Sequence, residues 1–480
     1  MPPPLLHLAL LAPLLGSAGP QGGNEVWRER RDEWMALDPL TADPDWLESA
    51  LAEVASGGPS DDPDACVWAA RAAQALYARL RQQGDPARGR AAIDLALPMC
   101  PDPGSAQPNL WIIASSHASL IADYPASVAL AERAEESLSE SQRASSLPVF
   151  IWALRGQALI QMGVPDQAAP WVERAVEHAR SLRGSEDFES ALIEAYLKRA
   201  NLRMATDRYE RMVTELEDVL ADHELLADNS LARARFLLRL GIAHLWSVRG
   251  DDEAAAQARA RFAEALAEPG IQAQDRLTVH MRLGQLELMV GEVEAARAPL
   301  ERARALATQM GGGGAILSMD EALLCALEAR VVRLDPAAAA DARDAARRRL
   351  RDAFDAQLAN WRTRPESRTG IGFLRYPAYQ DVVAEVVEGE LAVAPGEAGR
   401  RAALAQLARA RSVGDLAEAL GAREPDWDAI ASLVPEGGGL LVWMGAPGAS
   451  HAFAVDAAGT AHARLADLSA VQPPRDALER

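Results

Sequence analysis

A small side chain returns about every forty positions along much of this 480-residue chain, and that recurrence narrows the possible folds more than any other feature. The clearest cases are Gly156 in Trp152-Ala-Leu-Arg-Gly156-Gln-Ala-Leu159, Gly241 after Leu240, and Gly284 after Leu283. Each is followed by a turn glycine: Gly163, Gly250 or Gly291. An apolar run comes next: Ala168, Val172 and Ala175; Phe262 and Ala265; Ala296, Leu300 and Ala303. Two antiparallel helices approach closely only where side chains are small, so Gly or Ala falls at the crossing and larger residues fill the space beside it. Extended by its crossing position, the series reads Tyr77, Ser115, Gly156, Ala200, Gly241 and Gly284, in steps of 38, 41, 44, 41 and 43 residues. A degenerate seventh crossing falls near Ala326. Tyr77 and Ser115 fit the small-residue rule least well. The unit at Ala200 is supported by its second helix, where Tyr209, Met212, Val213, Leu216, Val219 and Leu220 make one helical stripe.

These small and large positions resemble those of tetratricopeptide helix pairs, across about 62–360. The usual period is about 34 residues, so the units here carry longer helices or loops. One pair cannot bury its own apolar face, and stacked neighbours form a continuous core that curves around a concave groove. The expected fold class is mostly α: a tetratricopeptide-like α-solenoid of helix pairs, followed by a small incomplete α/β (β-meander) segment. The expected partner is a protein or peptide in the concave groove; the bland alternative is a helical spacer. Composition agrees. Apolar residues reach 49% and aromatics only 5%, which excludes wholesale disorder and argues against an all-β chain. Acids outnumber Lys and Arg by 69 to 49, a net charge of −20, so neither nucleic acid nor an anionic membrane is the expected partner.

The first residues carry an apolar run, Leu5 to Leu15, interrupted by His7 and followed by Gly16-Ser17-Ala18. A bilayer span needs about 20 residues, whereas this run suits the core of a secretory signal. No Lys or Arg precedes it, so the competing reading is a mis-assigned start. No later stretch is long and apolar enough to span a membrane.

A search for chemistry yields no catalytic, cofactor-binding or metal-binding residue. His223-Glu224 begins like a zinc-protease helix, but Ala227 stands where the second His belongs. Gly448-Ala449-Ser450-His451-Ala452 lacks the glycine of a hydrolase elbow. His244 and His280 fall at helix–helix contact positions. Cys66, Cys100 and Cys325 form no CxxC pair, are too few for a disulfide scaffold, and read as small packed residues. Gly311–Gly314 lacks the Lys-Ser/Thr of a phosphate loop and reads as a connection. Asp61-Asp62-Pro63-Asp64 reads as a helix cap, and Asp335-Pro336 as the start of a helix running through Ala337–Ala340 to Trp361. Arg347, Arg348, Arg349 and Arg351 read as a solvated face with i,i+4 pairs Asp344→Arg348 and Arg351→Asp355.

After Pro365 the texture changes. A loop-like link, Arg368 to Tyr376, leads to a helix over about 378–393 and another from Arg400 to about Leu420, which contains Ala408-Arg-Ala-Arg-Ser412. Strand-like runs follow at Leu440–Met444, His451–Val455 and Thr460–Leu465. Three short strands need a covering layer.

Together, Pro435-Glu436-Gly437, the hairpin Phe453-Ala-Val-Asp456 with Gly459, and the connector Gly370-Ile-Gly-Phe-Leu374 resemble the entry to a CHAT domain, the caspase-like domain found behind tetratricopeptide arrays. The resemblance implies an α/β sandwich and, in active members, a cysteine peptidase with a His base and a Cys nucleophile. Both lie beyond the first hairpin in that family, and His451 and His462 match neither role. The resulting division is 1–18 signal peptide, 19–61 linker and helix, 62–360 repeats, 361–426 helical connector, and 427–480 the first part of the CHAT-like domain, truncated before its catalytic half. The first reading is a repeat scaffold that presents or regulates such a peptidase. The second is a helical scaffold with no peptidase ancestry. A helical-repeat transcription regulator is disfavoured by the charge and by the lack of a helix-turn-helix.

Overall fold

The structure is a computed structural model that describes residues 25–411, short internal stretches excepted, and three strands between 440 and 465. The residues at 1–24, Gly250, Gly311–Gly314, 363–376, 412–439, Gly448, Ala449 and 466–480 lie outside the description. With them fall the signal-like run, the four-glycine loop, His7, His223, the Gly370–Leu374 connector and the Pro435-Glu436-Gly437 turn. The chain divides into two compact units, 1–202 and 203–480.

Among the described residues of the first unit, α1 (Glu25–Met35) and α2 (Pro44–Ser56) precede three helix pairs. These are α3 (Pro63–Gln82) with α4 (Pro86–Ala96), α5 (Gln107–Leu120) with α6 (Tyr124–Glu136), and, after the one-turn α7 (Glu140–Arg143), α8 (Leu147–Gln161) with α9 (Pro165–Ser181). Helix α10 (Phe188–Ala205) carries the chain past the boundary. Proline opens α2, α3, α4 and α9, where its missing N–H costs nothing. Asp43 and Asp123 cap α2 and α6 by accepting backbone N–H bonds.

The second unit contains α11 (Tyr209–Ala221) and four further pairs among its described residues. They are α12 (Ser230–Ser247) with α13 (Asp252–Ala267), α14 (Ala273–Met289) with α15 (Val293–Gln309), α16 (Ser318–Leu334) with α17 (Ala340–Arg362), and α18 (Pro377–Val393) with α19 (Glu397–Arg411). Successive pairs pack on one another. The stripe expected on α11 is real: Met212, Leu216 and Val219 are buried.

The crossings lie where the small residues are. A Cβ placed on Gly156 would stand 2.5 Å from Val172 Cγ2; on Gly241, 2.6 Å from the Phe262 ring; on Gly284, 2.5 Å from Leu300 Cδ2. No Cβ tolerates such distances, so glycine is what lets α8 meet α9, α12 meet α13 and α14 meet α15. The two irregular positions are also crossings, by different means. Tyr77 is large, but it faces Gly89 on the partner helix, where an added Cβ would lie 3.0 Å from the Tyr77 Cα. The small residue has changed sides. Ser115 meets Ser127, its Oγ donating to the Ser127 carbonyl at 2.8 Å, so two small polar residues share a dry crossing. Ala326 is buried in one core with Ala346, Leu350 and Phe354 of α17. Gly163 and Gly291, at φ of 76° and 88°, make the turns that fold α8 onto α9 and α14 onto α15.

Two expectations need correction. Cys66 on α3 and Cys100, just after the 3₁₀ turn Leu97–Met99, are joined as a disulfide and are not merely packed thiols. Sequence spacing concealed this, because a separation of 34 positions spans a helix pair that folds back on itself. The helix after Asp335-Pro336 starts only at Ala340, because the Asp335 side chain accepts the Ala337 N–H at 2.8 Å and its carbonyl the Ala338 N–H at 3.2 Å, which makes a turn at 336–337. Asp62 does act as a cap, accepting the Asp64 N–H at 3.0 Å, while Trp27 Nε1 donates to its other oxygen at 2.7 Å. Trp27, Trp34 and Trp68 form one buried ring cluster beside it, the last two stacked 5.3 Å apart.

The segment expected as a helical connector contains α18 and α19. The second helix begins at Glu397, three residues before the expected Arg400, and its described part ends at Arg411. Val382, Val383, Val386 and Val387 of α18 join the core of α16 and α17. The strands β1 (Leu440–Met444), β2 (Ser450–Asp456) and β3 (Gly459–Leu465) form an antiparallel meander, with Val442 opposite Phe453 and Phe453 opposite His462. Phe453 is fully buried in that same helical core, so the helices supply the layer a three-stranded sheet requires.

Gly284→Leu is expected to destabilise the protein by about 1–3 kcal/mol, because Leu300 cannot retreat far enough from the new side chain. Urea denaturation checks this, and an unchanged midpoint would mean that Gly284 does not sit at a tight crossing.

Candidate functional site

Two side-chain systems stand out, one in each unit. In the first, aromatic rings and guanidinium groups alternate along α5, α6, α8, α9 and α10. Arg133 lies over Trp111 at 5.4 Å, Arg155 over Trp171 at 3.7 Å, Arg174 over Trp152 at 4.0 Å and Arg199 over Tyr196 at 4.3 Å. Carboxylates and amides hold these groups in register. Trp152 Nε1 donates to Glu135 at 2.9 Å, Arg155 donates to Glu132 at 2.5 Å, and Arg180 donates to the Tyr196 hydroxyl at 2.7 Å. Asn201 donates to Gln157 at 2.6 Å. Trp152 is buried, whereas Trp111, Trp171 and Tyr196 are half-buried and Arg133, Arg174 and Arg180 are exposed. Stacking of this kind keeps Arg133 and Arg174 rigid while their edges stay in water, whereas Arg155 is half-buried and Arg199 buried. The result is a ridge of fixed rings and guanidinium groups, the composition that dominates binding energy in protein interfaces.

The second unit contains a buried ionic relay. Arg282 Nη1 donates to Gln285 Oε1 at 2.7 Å, and Gln285 in turn donates to Asp381. Arg330 stands 3.8 Å from Asp381 and 3.3 Å from Glu385. Arg333 donates to both Glu385 oxygens at 2.7 and 2.8 Å and stands 3.7 Å from Glu388. His451 Nε2 of β2 lies 3.5 Å from Glu388. The relay runs from α14 through α16 to α18 and the meander. Burial pushes the Asp381 carboxyl above the usual carboxylate range, against the pull of Arg330 and Arg282. Breaking one member of such a network leaves a buried charge without its partner, so the relay locks α18 against α14 and α16.

The other residues singled out from the sequence fall into plain roles. Burial lowers the pKa of His244 and His280, which keeps both rings neutral near pH 7. His178 Nε2 lies 2.9 Å from the Ser145 carbonyl and meets Trp152 edge-on; His117 meets Tyr77 edge-on. Burial pushes the Cys325 thiol up to about 12, among Arg304, Glu321 and Glu328, so it is a poor nucleophile at neutral pH. The arginine cluster of α17 departs from the expected i,i+4 pairing. Arg351 pairs with Glu390 of α18, Arg349 stands 3.8 Å from Glu328 of α16, and Asp355 takes Arg409 of α19 at 2.8 Å. These are bonds between helices rather than along one. Arg348 is exposed. Among the described residues no group of three or more His, Cys, Asp or Glu side chains is arranged to hold a metal ion, and no helix is long and apolar enough to cross a membrane.

Sequence reasoning missed both systems. The ridge has a faint signal, since Trp152, Trp171 and Arg174 sit within the best-defined repeat. The relay has none, because Gln285 and Asp381 are 96 residues apart.

No family model matches the sequence, and no curated protein matches it. Among solved structures, a chain in the "Crystal structure of APC/C hetero-tetramer Cut9-Hcn1" aligns with 78% of this chain and 98% of its own length, at 11% identity and a TM-score of 0.21.

Asp381 yields a pH prediction. An acid whose pKa is raised on folding contributes stability that is full below the unfolded aspartate value of about 3.9. That contribution is lost as pH climbs through the raised native value. Asp381→Asn lacks this titration, so its stability relative to the native sequence rises as pH is raised from about 4 through the range in which the native carboxyl ionises. Urea midpoints across that range check it, and parallel curves would contradict it.

Proposed function

We propose that this chain is a protein-binding scaffold of tetratricopeptide-like helix pairs, and that its partner is a protein or peptide held on the array. The observation that carries this reading is the ridge of the first unit, where exposed Arg133, Arg174 and Arg180 stack on the rings of Trp111, Trp152 and Tyr196. Solvated spacer helices have no need to hold Arg174 over Trp152 and Arg155 over Trp171. The net charge of −20 favours a protein over nucleic acid, whose phosphates demand a basic face. Binding in the concave groove of stacked pairs is the geometry this reading adopts.

A finer reading concerns the output. The sequence motifs Pro435-Glu436-Gly437 and Phe453-Ala-Val-Asp456 with Gly459 support a CHAT-like segment, which the array would present or regulate as a caspase-like cysteine peptidase. Its catalytic His and Cys would lie past residue 480. Reading the gene past codon 480 tests it: a strand ending in His-Gly and then a Cys at a strand end supports the peptidase, and a stop codon at 481 favours a scaffold alone.

A photo-crosslinking residue at position 174 is expected to capture a protein in cells of origin, while the same residue at exposed position 348 captures none. Trp171→Ala is expected to weaken that capture by about tenfold or more, as loss of an interface anchor does. Equal capture at both positions, or capture of nucleic acid at 174, would contradict the reading.

A further inference from the structure

We propose that Cys66–Cys100 is a permanent structural cystine that staples the first helix pair, and that the protein therefore works in an oxidising compartment. Three observations carry this. First, the two residues are placed for bonding. Cys66 lies on α3 and Cys100 just beyond α4, with Cα atoms 4.9 Å apart, inside the range that a disulfide spans. Second, the bond closes the one pair whose crossing departs most from the rule, where Tyr77 is large and only Gly89 gives way. A covalent tie there constrains the unfolded chain by closing a loop of 34 residues. Third, both cysteines are buried in the core shared with Trp34, Trp68 and Ile93, with Cys100 at 0% exposure. A reductant cannot reach the bond without opening the pair. Cytosolic cysteines stay reduced, so a buried cystine of this kind belongs to an exported or otherwise oxidised protein. The apolar run Leu5–Leu15 with its small-residue boundary is an independent, sequence-level pointer in the same direction.

The oxidant is a dithiol-accepting disulfide, either the cystine of a thiol–disulfide oxidoreductase or a low-molecular-weight disulfide. One cysteine thiolate attacks that disulfide, forming a mixed disulfide and releasing one thiol. The second cysteine then displaces the other sulfur. Two cysteine thiols become one cystine, and the oxidant gains the two electrons and two protons as two thiols. Burial of both sulfurs requires this exchange to precede, or accompany, closure of α3 on α4. Cys325, alone in the second unit, stays a thiol.

The test is a thiol count on the full chain isolated from its own cells, with iodoacetamide present from lysis and through denaturation in urea. One labelled cysteine per chain, Cys325, is expected, with a Cys66–Cys100 linked peptide after digestion. Three labels should appear when a reductant precedes the iodoacetamide. Three labels without reductant would overturn the proposal. A second arm follows thermal unfolding of purified protein. Protein reduced in urea and refolded in reductant is expected to unfold about 5–10 °C below the oxidised protein, at the position shown by the Cys66→Ser/Cys100→Ser double variant, which the same treatment leaves unmoved. A transition unshifted after that reduction would also overturn it. Neither arm depends on partner binding, so failure here leaves the scaffold reading standing.

Discussion

The fold rests on one steric condition: two helices can touch along their lengths only where one of them gives up a side chain. Gly156 under Val172, Gly241 under Phe262 and Gly284 under Leu300 meet it in the simplest way. Gly89 under Tyr77 meets it from the opposite helix, and Ser115 with Ser127 by sharing the loss. Each close crossing brings two apolar stripes together, and stacking one pair on the next buries what a single pair leaves exposed. Relay and ridge build on pairs that this packing assembles.

The two units use polar chemistry for different ends. In the second, charge is buried: Arg282, Gln285, Asp381, Arg330, Glu385 and Arg333 join helices far apart in sequence, and His451 extends the chain of contacts to the meander. Networks of this kind fix one arrangement more than they add stability. Phe453 acts with them by entering the helical core, so the meander meets the last helix pairs through both apolar and polar contacts. In the first unit Arg199 is buried, but most of the stacked guanidinium groups stay at or near the surface. Arg133, Arg174 and Arg180 keep their edges in water while rings fix their planes. That is a cost in freedom with little return in stability, which is the feature the proposed protein-binding reading rests on.

Legibility in the sequence follows the range of the interaction. Helix pairs are local, so their periodicity, their turn glycines and most of their boundaries can be read directly. The strands can be read too, because β1, β2 and β3 alternate with turn residues over a few positions. Tyr77 and Ser115 look irregular only because the rule concerns the gap between two helices, and one helix cannot reveal which partner yields. The turn at Asp335 delays α17, because its side chain and carbonyl take the Ala337 and Ala338 N–H groups against the helix propensity of Ala337–Ala339. The disulfide, the relay and the Arg351–Glu390 and Arg409–Asp355 pairs are tertiary. Nothing in the residues beside Cys66 points to Cys100, or in those beside Gln285 to Asp381.

The steric condition is tested most directly by a double-mutant cycle at the α12–α13 crossing, using Gly241→Leu, Phe262→Ala and the pair together in urea unfolding. Each single change should destabilise the protein, one by crowding and the other by leaving a cavity. The account predicts that the double variant is more stable than the sum of the two losses allows, with a coupling of about 0.5–3 kcal/mol, since the new leucine occupies the space the ring vacates. Losses that add to within about 0.5 kcal/mol would show that Gly241 and Phe262 do not share one crossing, and the account of the fold would fail with them.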